Sequence, residues 1–189
     1  MRTFIAIELE PELRRPLVRL LRESLPPSRD VRWCNENQLH LTLKFLGEVR
    51  DAQLAAVCEV AAAAAATVAP FPISLCGLGG FPGPGSPRVL WCGVDDPTGG
   101  CQRWVSAADP RLAALGFERE QRAFKPHITL GRSRSPAGAR VFRDVLQSVP
   151  PPQTGTMNVT HVIVFESRLL PRGAEYHPLA SIPLGTPSR

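Results

Sequence analysis

The sequence predicts an α+β fold with antiparallel strand pairing, on three observations. Strand-like and helix-like segments interleave along the 189 residues. Several consecutive strand segments lack the helix that a parallel crossover needs. A short pattern, His-apolar-Thr-apolar, occurs twice on strand-like segments about half a chain apart, as a duplicated two-lobe architecture would place it.

Residues 3–9 read as a short strand, and Pro11 then opens a helix at a position where its missing N–H is not needed. Leu13, Leu17, Leu20 and Leu21 form its apolar stripe, and Pro26-Pro27 stop it. An alternating strand follows at 38–46. Asp51 is the expected N-cap of an alanine-rich helix that ends before Pro70. Residues 71–78 and 88–94 read as strands joined by the Gly- and Pro-rich loop 79–87. Val105, Ala108 and Leu112 indicate a helix that Pro110 should break in two and Gly116 should end. A strand at 126–130, a helix at 139–148, a stiff turn at Pro150-Pro151-Pro152, a β-branched strand at 157–166 and a last strand at 176–184 complete the chain.

Composition excludes more than it identifies. The apolar fraction is 43% and the charged fraction 21%, ordinary for a globular domain. No apolar run is long enough to span a bilayer, and the first residues lack a hydrophobic signal core, so a cytoplasmic location and no membrane partner are expected. The five cysteines show no Cys-x-x-Cys spacing and read as reduced thiols. The four histidines show no metal-ligand spacing, so no metal and no cofactor is expected. A net charge of +5 favours a phosphate-rich partner. A GC-rich coding sequence would raise Arg, Ala, Pro and Gly together in the same way, so charge alone decides little.

The paired motif decides more. Side chains alternate across a strand, so His40 and Thr42 share one face while Leu41 and Leu43 share the other. His127 and Thr129 stand likewise opposite Ile128 and Leu130. Two such strands around one cleft would gather two imidazoles and two hydroxyls. A neutral imidazole takes a proton from attacking water, an imidazolium gives one to a leaving oxygen, and the hydroxyls donate to phosphate oxygens. Parity also aims Lys44 at the cleft as a candidate phosphate-binding residue, turns Phe45 to the core, and aims Arg132 away unless Gly131 introduces a bulge. His161 and His177 read as an edge or core residue and a loop residue. Trp91 reads as core. Trp33 and Tyr176 are candidate base-stacking rings, and Arg132, Arg134, Arg140 and Arg143 are a candidate backbone-phosphate cluster.

The flanks of both motifs carry a resemblance. Leu39-His40-Leu41-Thr42-Leu43-Lys44-Phe45-Leu46-Gly47-Glu48 and Phe124-Lys125-Pro126-His127-Ile128-Thr129-Leu130-Gly131-Arg132 resemble the paired motifs of the RNA 2′,3′-cyclic phosphodiesterases. These are also called 2′-5′ RNA ligases, within the two-histidine phosphoesterase superfamily. Arg2-Thr3-Phe4-Ile5-Ala6-Ile7, Pro87-Arg88-Val89-Leu90-Trp91 and Leu169-Leu170-Pro171 extend the likeness almost end to end. The resemblance implies one domain over 1–189 made of two intertwined lobes, related by a pseudo-two-fold, whose antiparallel sheets face a central cleft with helices outside. It implies metal-independent hydrolysis of RNA 2′,3′-cyclic ends to 2′-phosphomonoesters. His40 would be the acid and His127 the base, with Thr42, Thr129 and Arg132 on the phosphate. RNA bearing such ends is the implied partner, and the chain is expected to act as a monomer with no obligate protein partner. Ligation by the same residues, with an RNA 5′-hydroxyl replacing water, and a non-catalytic RNA-binding module are the alternatives.

Overall fold

The computed structural model describes residues 1–152, 155–171 and 173–185. The elements run β1 (Arg2–Glu8), α1 (Pro11–Arg19), β2 (Val31–Trp33), β3 (His40–Glu48), α2 (Asp51–Ala65), β4 (Phe71–Phe81), β5 (Val89–Asp95), α3 (Gly100–Ala114), β6 (His127–Ser133), α4 (Pro136–Ser148), β7 (Thr156–Val159), β8 (His161–Leu170) and β9 (Gly173–Pro183). The fold is α+β, as predicted, and the strand pairs are antiparallel.

The sheet order is β7-β4-β5-β6-β3-β1-β8-β9, with β2 added beside β6. This order repeats about its centre. Each half contributes β-α-β-α, as β1-α1-β3-α2 and β5-α3-β6-α4; the first then sends β4 across to pair with β5, and the second, after the edge strand β7, sends β8 across to pair with β1. The two sheets meet at β3 and β6 through one residue pair, Leu41 with Ile128. They therefore form one curled sheet hinged where the two motifs lie.

Burial explains why β1 is apolar along nearly its whole length. Ile5 and Ile7 face the helices and join the main core with Leu13, Leu17, Leu41 and Ile128. Phe4 and Ala6 face the other way, into a second cluster with Ile163, Phe165 and Tyr176 on the concave side. A strand buried on both faces loses the polar alternation of a half-exposed one.

Several boundaries differ from the sequence reading, each for a local reason. The helix α1 widens at its end into a π-type turn, Leu20–Ser24, closed by the Leu25 N–H on the Leu20 carbonyl at 3.2 Å. Asp51 is the first helical residue rather than the cap, and the Gln53 side chain accepts from the Arg50 N–H at 3.3 Å. α3 continues through Pro110, because Trp104, Val105, Ala108 and Leu112 bury its inner face on both sides of the proline. Burying each such side chain contributes about 1.5–3 kcal/mol, enough to offset the proline's cost of about 3 kcal/mol. β4 absorbs Gly79, Gly80 and Phe81 from the expected loop, since the Trp91 ring covers the space a Cβ on Gly79 would take. The 157–166 segment is two strands, β7 and β8, divided at Thr160.

Candidate active site

Both histidines stand at the first residue of their strands, beside the hinge of the sheet. Each ring is fixed in the same way. His40 Nδ1 lies 2.8 Å from the Gln38 carbonyl oxygen, and His127 Nδ1 lies 2.7 Å from that of Lys125. A carbonyl oxygen only accepts, so each Nδ1 carries the proton, and each Nε2 of the neutral ring is a free acceptor. Continuing the antiparallel register of the Leu41–Ile128 pair sets His40 across from Thr129 and Thr42 across from His127. Neither threonine hydroxyl has a hydrogen-bond partner among the described residues.

Aromatic rings hold the imidazoles from the side. Phe4 and Tyr176 lie 4.8 and 5.0 Å from His40, the latter edge-on. Phe81 lies 4.9 Å from His127, also edge-on, with Trp91 at 6.0 Å. This apolar packing makes the charged form of either ring costly. Burial, with smaller contributions from His127 and Arg132, pulls His40 down from 6.5 to about 4 against the opposing Gln38 bond. His127 is also lowered, first by burial and then by the Arg132 and Lys125 charges.

A matched pair of bulges sets what else faces the cleft. Across β1 and β3, Ala6 pairs with Thr42 but Ile5 pairs with Lys44, so Leu43 is the extra residue. Across β5 and β6, Trp91 pairs with Thr129 but Leu90 pairs with Gly131, so Leu130 is the extra residue. Each bulge sits three residues after its histidine and reverses the parity of the strand beyond it. Arg132, paired with Val89, thus shares the face of His127 and Thr129. Phe45, paired with Phe4, shares the face of His40 and Thr42 and is 60% exposed.

The parity expectation for Lys44 is therefore corrected, and so is the one that turned Phe45 to the core. Lys44 is 7% exposed and points behind the sheet, where its ammonium meets Asp109 Oδ1 and the Glu118 carbonyl, both at 2.6 Å. It is a buried ion-pair partner and stands away from the cleft. Burial acts to raise the Asp109 carboxyl, yet Lys44, Arg119 and the Glu120 N–H hold it below the usual range.

With this geometry, a family model closes the question of kinship: the model for the 2′-5′ RNA ligase superfamily matches residues 9–168. The chain belongs to that superfamily. Curated members similar to it include the RNA 2′,3′-cyclic phosphodiesterase of Archaeoglobus fulgidus, 35% identical over 95% of this chain and 98% of that one. That of Thermus thermophilus is 33% identical over 97% and 90%. Among solved structures, apo LigT of E. coli superposes with a TM-score of 0.77 at 28% identity, covering 98% of both chains. LigT complexed with 3′-AMP gives 0.78 at 28% identity over 97% of both.

Other residues singled out in this superfamily member fall away from the cleft centre. Trp33 is structural: its Nε1 donates to the Pro26 carbonyl at 3.0 Å and its ring covers Gly131 and meets Phe142 at 5.5 Å. Trp91 is buried, as expected, with the Lys125 ammonium 4.4 Å above its ring. His161 is exposed at a strand start beside the Thr160 hydroxyl. His177 lies within β9, not a loop. Arg143 reaches the Gly85 carbonyl, while Arg134 and Arg140 are solvated. Among the described residues no helix is long and apolar enough to cross a membrane. Sequence reasoning missed Phe4 and Phe81, whose contacts with the histidines depend on strands distant in the chain. The one available signal for Phe4 was its place in the opening segment Arg2-Thr3-Phe4-Ile5-Ala6-Ile7 that carries the resemblance.

Proposed function

We propose that the chain hydrolyses RNA 2′,3′-cyclic phosphate ends to 2′-phosphomonoesters by general acid–base catalysis. The observation that carries this reading is the matched tethering of both Nδ1 atoms, which leaves two Nε2 atoms free beside two threonine hydroxyls that have no hydrogen-bond partner among the described residues. The curated relatives named as RNA 2′,3′-cyclic phosphodiesterases support the same substrate.

In this scheme the phosphate sits between Thr42 and Thr129, whose hydroxyls donate to its non-bridging oxygens, with the Arg132 guanidinium offsetting charge that develops there. His127 Nε2 takes a proton from water as the water oxygen bonds to phosphorus. The bond from phosphorus to the 3′ oxygen breaks, and His40, entering the step as an imidazolium with a second proton on Nε2, gives that proton to the departing oxygen. His40 is left neutral and His127 protonated, and exchange with solvent resets the pair.

The test is incubation of RNA bearing a 2′,3′-cyclic end with excess EDTA. Turnover to a 2′-phosphate is expected; a strict requirement for divalent metal would sink the mechanism. Arg132→Ala removes a charge-assisted contact of about 1.5–3 kcal/mol, so kcat/KM should fall roughly 10- to 100-fold. A smaller loss in steady-state assays would show that Arg132 does not reach the phosphate.

The lowered histidines also set the pH dependence. The acid must be protonated, so kcat/KM falls as pH rises through the higher apparent pKa of the pair. The base must be neutral, so it falls again as pH drops through the lower one. With His40 near 4 and His127 also lowered, the maximum of kcat/KM should lie on the acid side of 6.5. The bound phosphate anion favours the imidazolium, so the kcat maximum should lie at higher pH than that of kcat/KM. Two superimposable profiles, or a kcat/KM maximum on the alkaline side, contradict this.

A further inference from the structure

A cavity of about 450 Å³ opens beside His40 where β3 begins, and none of the roles described above uses it. Phe4 and Tyr176 form an aromatic wall next to His40, and Phe165 backs them. Asn37, on the short 3-10 turn before β3, Asn35, which caps that turn, and Ala174 and Glu175 of β9 close the other sides. That turn is fixed to β9, since Gln38 Nε2 donates to the Ala174 carbonyl at 2.8 Å. The size suits a nucleoside, and the wall is preformed.

The charge of this corner is opposite to that of the chain. Glu8, Glu36 and Glu175 line the cavity, with Arg14 as the one arginine among its lining residues. Glu8 pairs with Arg14 at 3.2 Å, Glu36 with Arg22 at 2.9 Å and Glu175 faces His177 Nε2 at 3.8 Å, each through one carboxylate oxygen, which leaves the other oxygen to accept. Such a rim repels phosphate and receives N–H donors. Arg132, by contrast, stands on the β6 side of the hinge.

On the proposed reaction, in-line displacement puts the attacking water and the departing 3′ oxygen on opposite sides of phosphorus. Water lies on the His127 side, so the ribose that carries the departing oxygen lies on the His40 side. The base attached to that ribose is then adjacent to the cavity. We infer that the cavity between β1, β9 and the turn at Glu36–Gln38 binds the base of the terminal nucleotide, and that its carboxylates select bases bearing an exocyclic amine. Adenine, cytosine and guanine each offer such an amine, whereas uracil offers only a ring N–H. This inference rests on the phosphodiesterase reading and adds a base specificity to it.

The test uses the full chain with the four 2′,3′-cyclic mononucleotides and the 2′,3′-cyclic phosphate of an abasic ribose. The amine-bearing bases should exceed uracil in kcat/KM by about tenfold, the effect of one unmatched hydrogen bond in an enclosed site. The abasic substrate should show a raised KM. Glu36→Gln with Glu175→Gln should flatten the ratio among the bases. Ala174→Trp, which fills the cavity, should raise KM for the mononucleotides more than for the abasic substrate; that difference separates blocking from misfolding. Equal turnover of all five substrates by the unaltered chain overturns the inference and leaves the phosphodiesterase reading standing. Loss of base preference on Phe45→Ala, with the cavity variants unaffected, also overturns it by placing the base at the far end of β3. Failure to hydrolyse any of the five overturns both.

Discussion

His40→Ala and His127→Ala should each lower kcat by about 10²- to 10⁴-fold on a 2′,3′-cyclic RNA end, with KM changed far less. The asymmetry between kcat and KM follows from the geometry. In the proposed scheme each imidazole would meet the reaction through a single Nε2 proton transfer, while the phosphate contacts would come from Thr42, Thr129 and Arg132. The double variant should be little slower than the worse single one, because acid and base act in one step and their losses do not add. Neither substitution should disturb the fold greatly, since both rings lie at strand starts and each makes one hydrogen bond, to a backbone carbonyl. Steady-state kinetics beside a thermal melt checks this, and a variant that keeps its melting temperature and its kcat removes that histidine from the mechanism.

The second large effect falls on stability rather than catalysis. Asp109→Ala should destabilise the chain by about 3–5 kcal/mol, because it strands the Lys44 ammonium in a site where that side chain is 7% exposed. For a domain of this size the melting temperature should drop on the order of 10 °C. Lys44→Met should cost much less, since Asp109, 12% exposed, keeps Arg119 and the Glu120 N–H as partners. Lys44→Met should also leave kcat/KM on cyclic phosphate unchanged. A selective loss of kcat/KM in Lys44→Met, with stability intact, would restore Lys44 to the phosphate site. Acid should narrow the difference between Asp109→Ala and the unaltered chain. The lowered carboxyl contributes stability above its unfolded pKa, and that contribution is lost as pH falls through the folded value.

The Lys44 result shows where the sequence was legible. The alternation His-apolar-Thr-apolar fixes the face of four residues, and the strands that carry them meet at the Leu41–Ile128 pair. Element types also followed from pattern, because apolar period and turn chemistry are local. Beyond the motif, parity failed at Leu43 and Leu130. A bulge is set by how a strand pairs with a partner distant in the chain, here β1 for the first motif and β5 for the second. Its trace in the structure is two adjacent buried residues after an alternating run, Leu43-Lys44 and Leu130-Gly131. A lysine in that position looks exposed to any reading that does not know about Asp109. Arg132 and Phe45 exchanged sides for the same reason. Pro110 is a similar case, since the tertiary burial that carries α3 through it is invisible in a local window. The second concave-face cluster around Phe4 was legible only as an unusually apolar β1.

One further contrast follows from the pseudo-two-fold. The residue five positions after the histidine faces the cleft in both motifs, and it is Phe45 in one and Arg132 in the other. The scaffold is close to symmetric, while the chemistry it presents is not. At this position the β6 side presents a positive charge and the β3 side an exposed aromatic ring, so on the proposed reading a nucleotide would have one preferred direction across the hinge.

The division of labour between the histidines can be tested most directly with a phosphodiester whose leaving group departs without a proton, such as a p-nitrophenyl ester. If His40 is the acid and His127 the base, His40→Ala should recover toward the rate of the unaltered chain on that substrate, while His127→Ala should stay slow. Recovery of His127→Ala instead, or equal losses in both variants, would contradict the assignment.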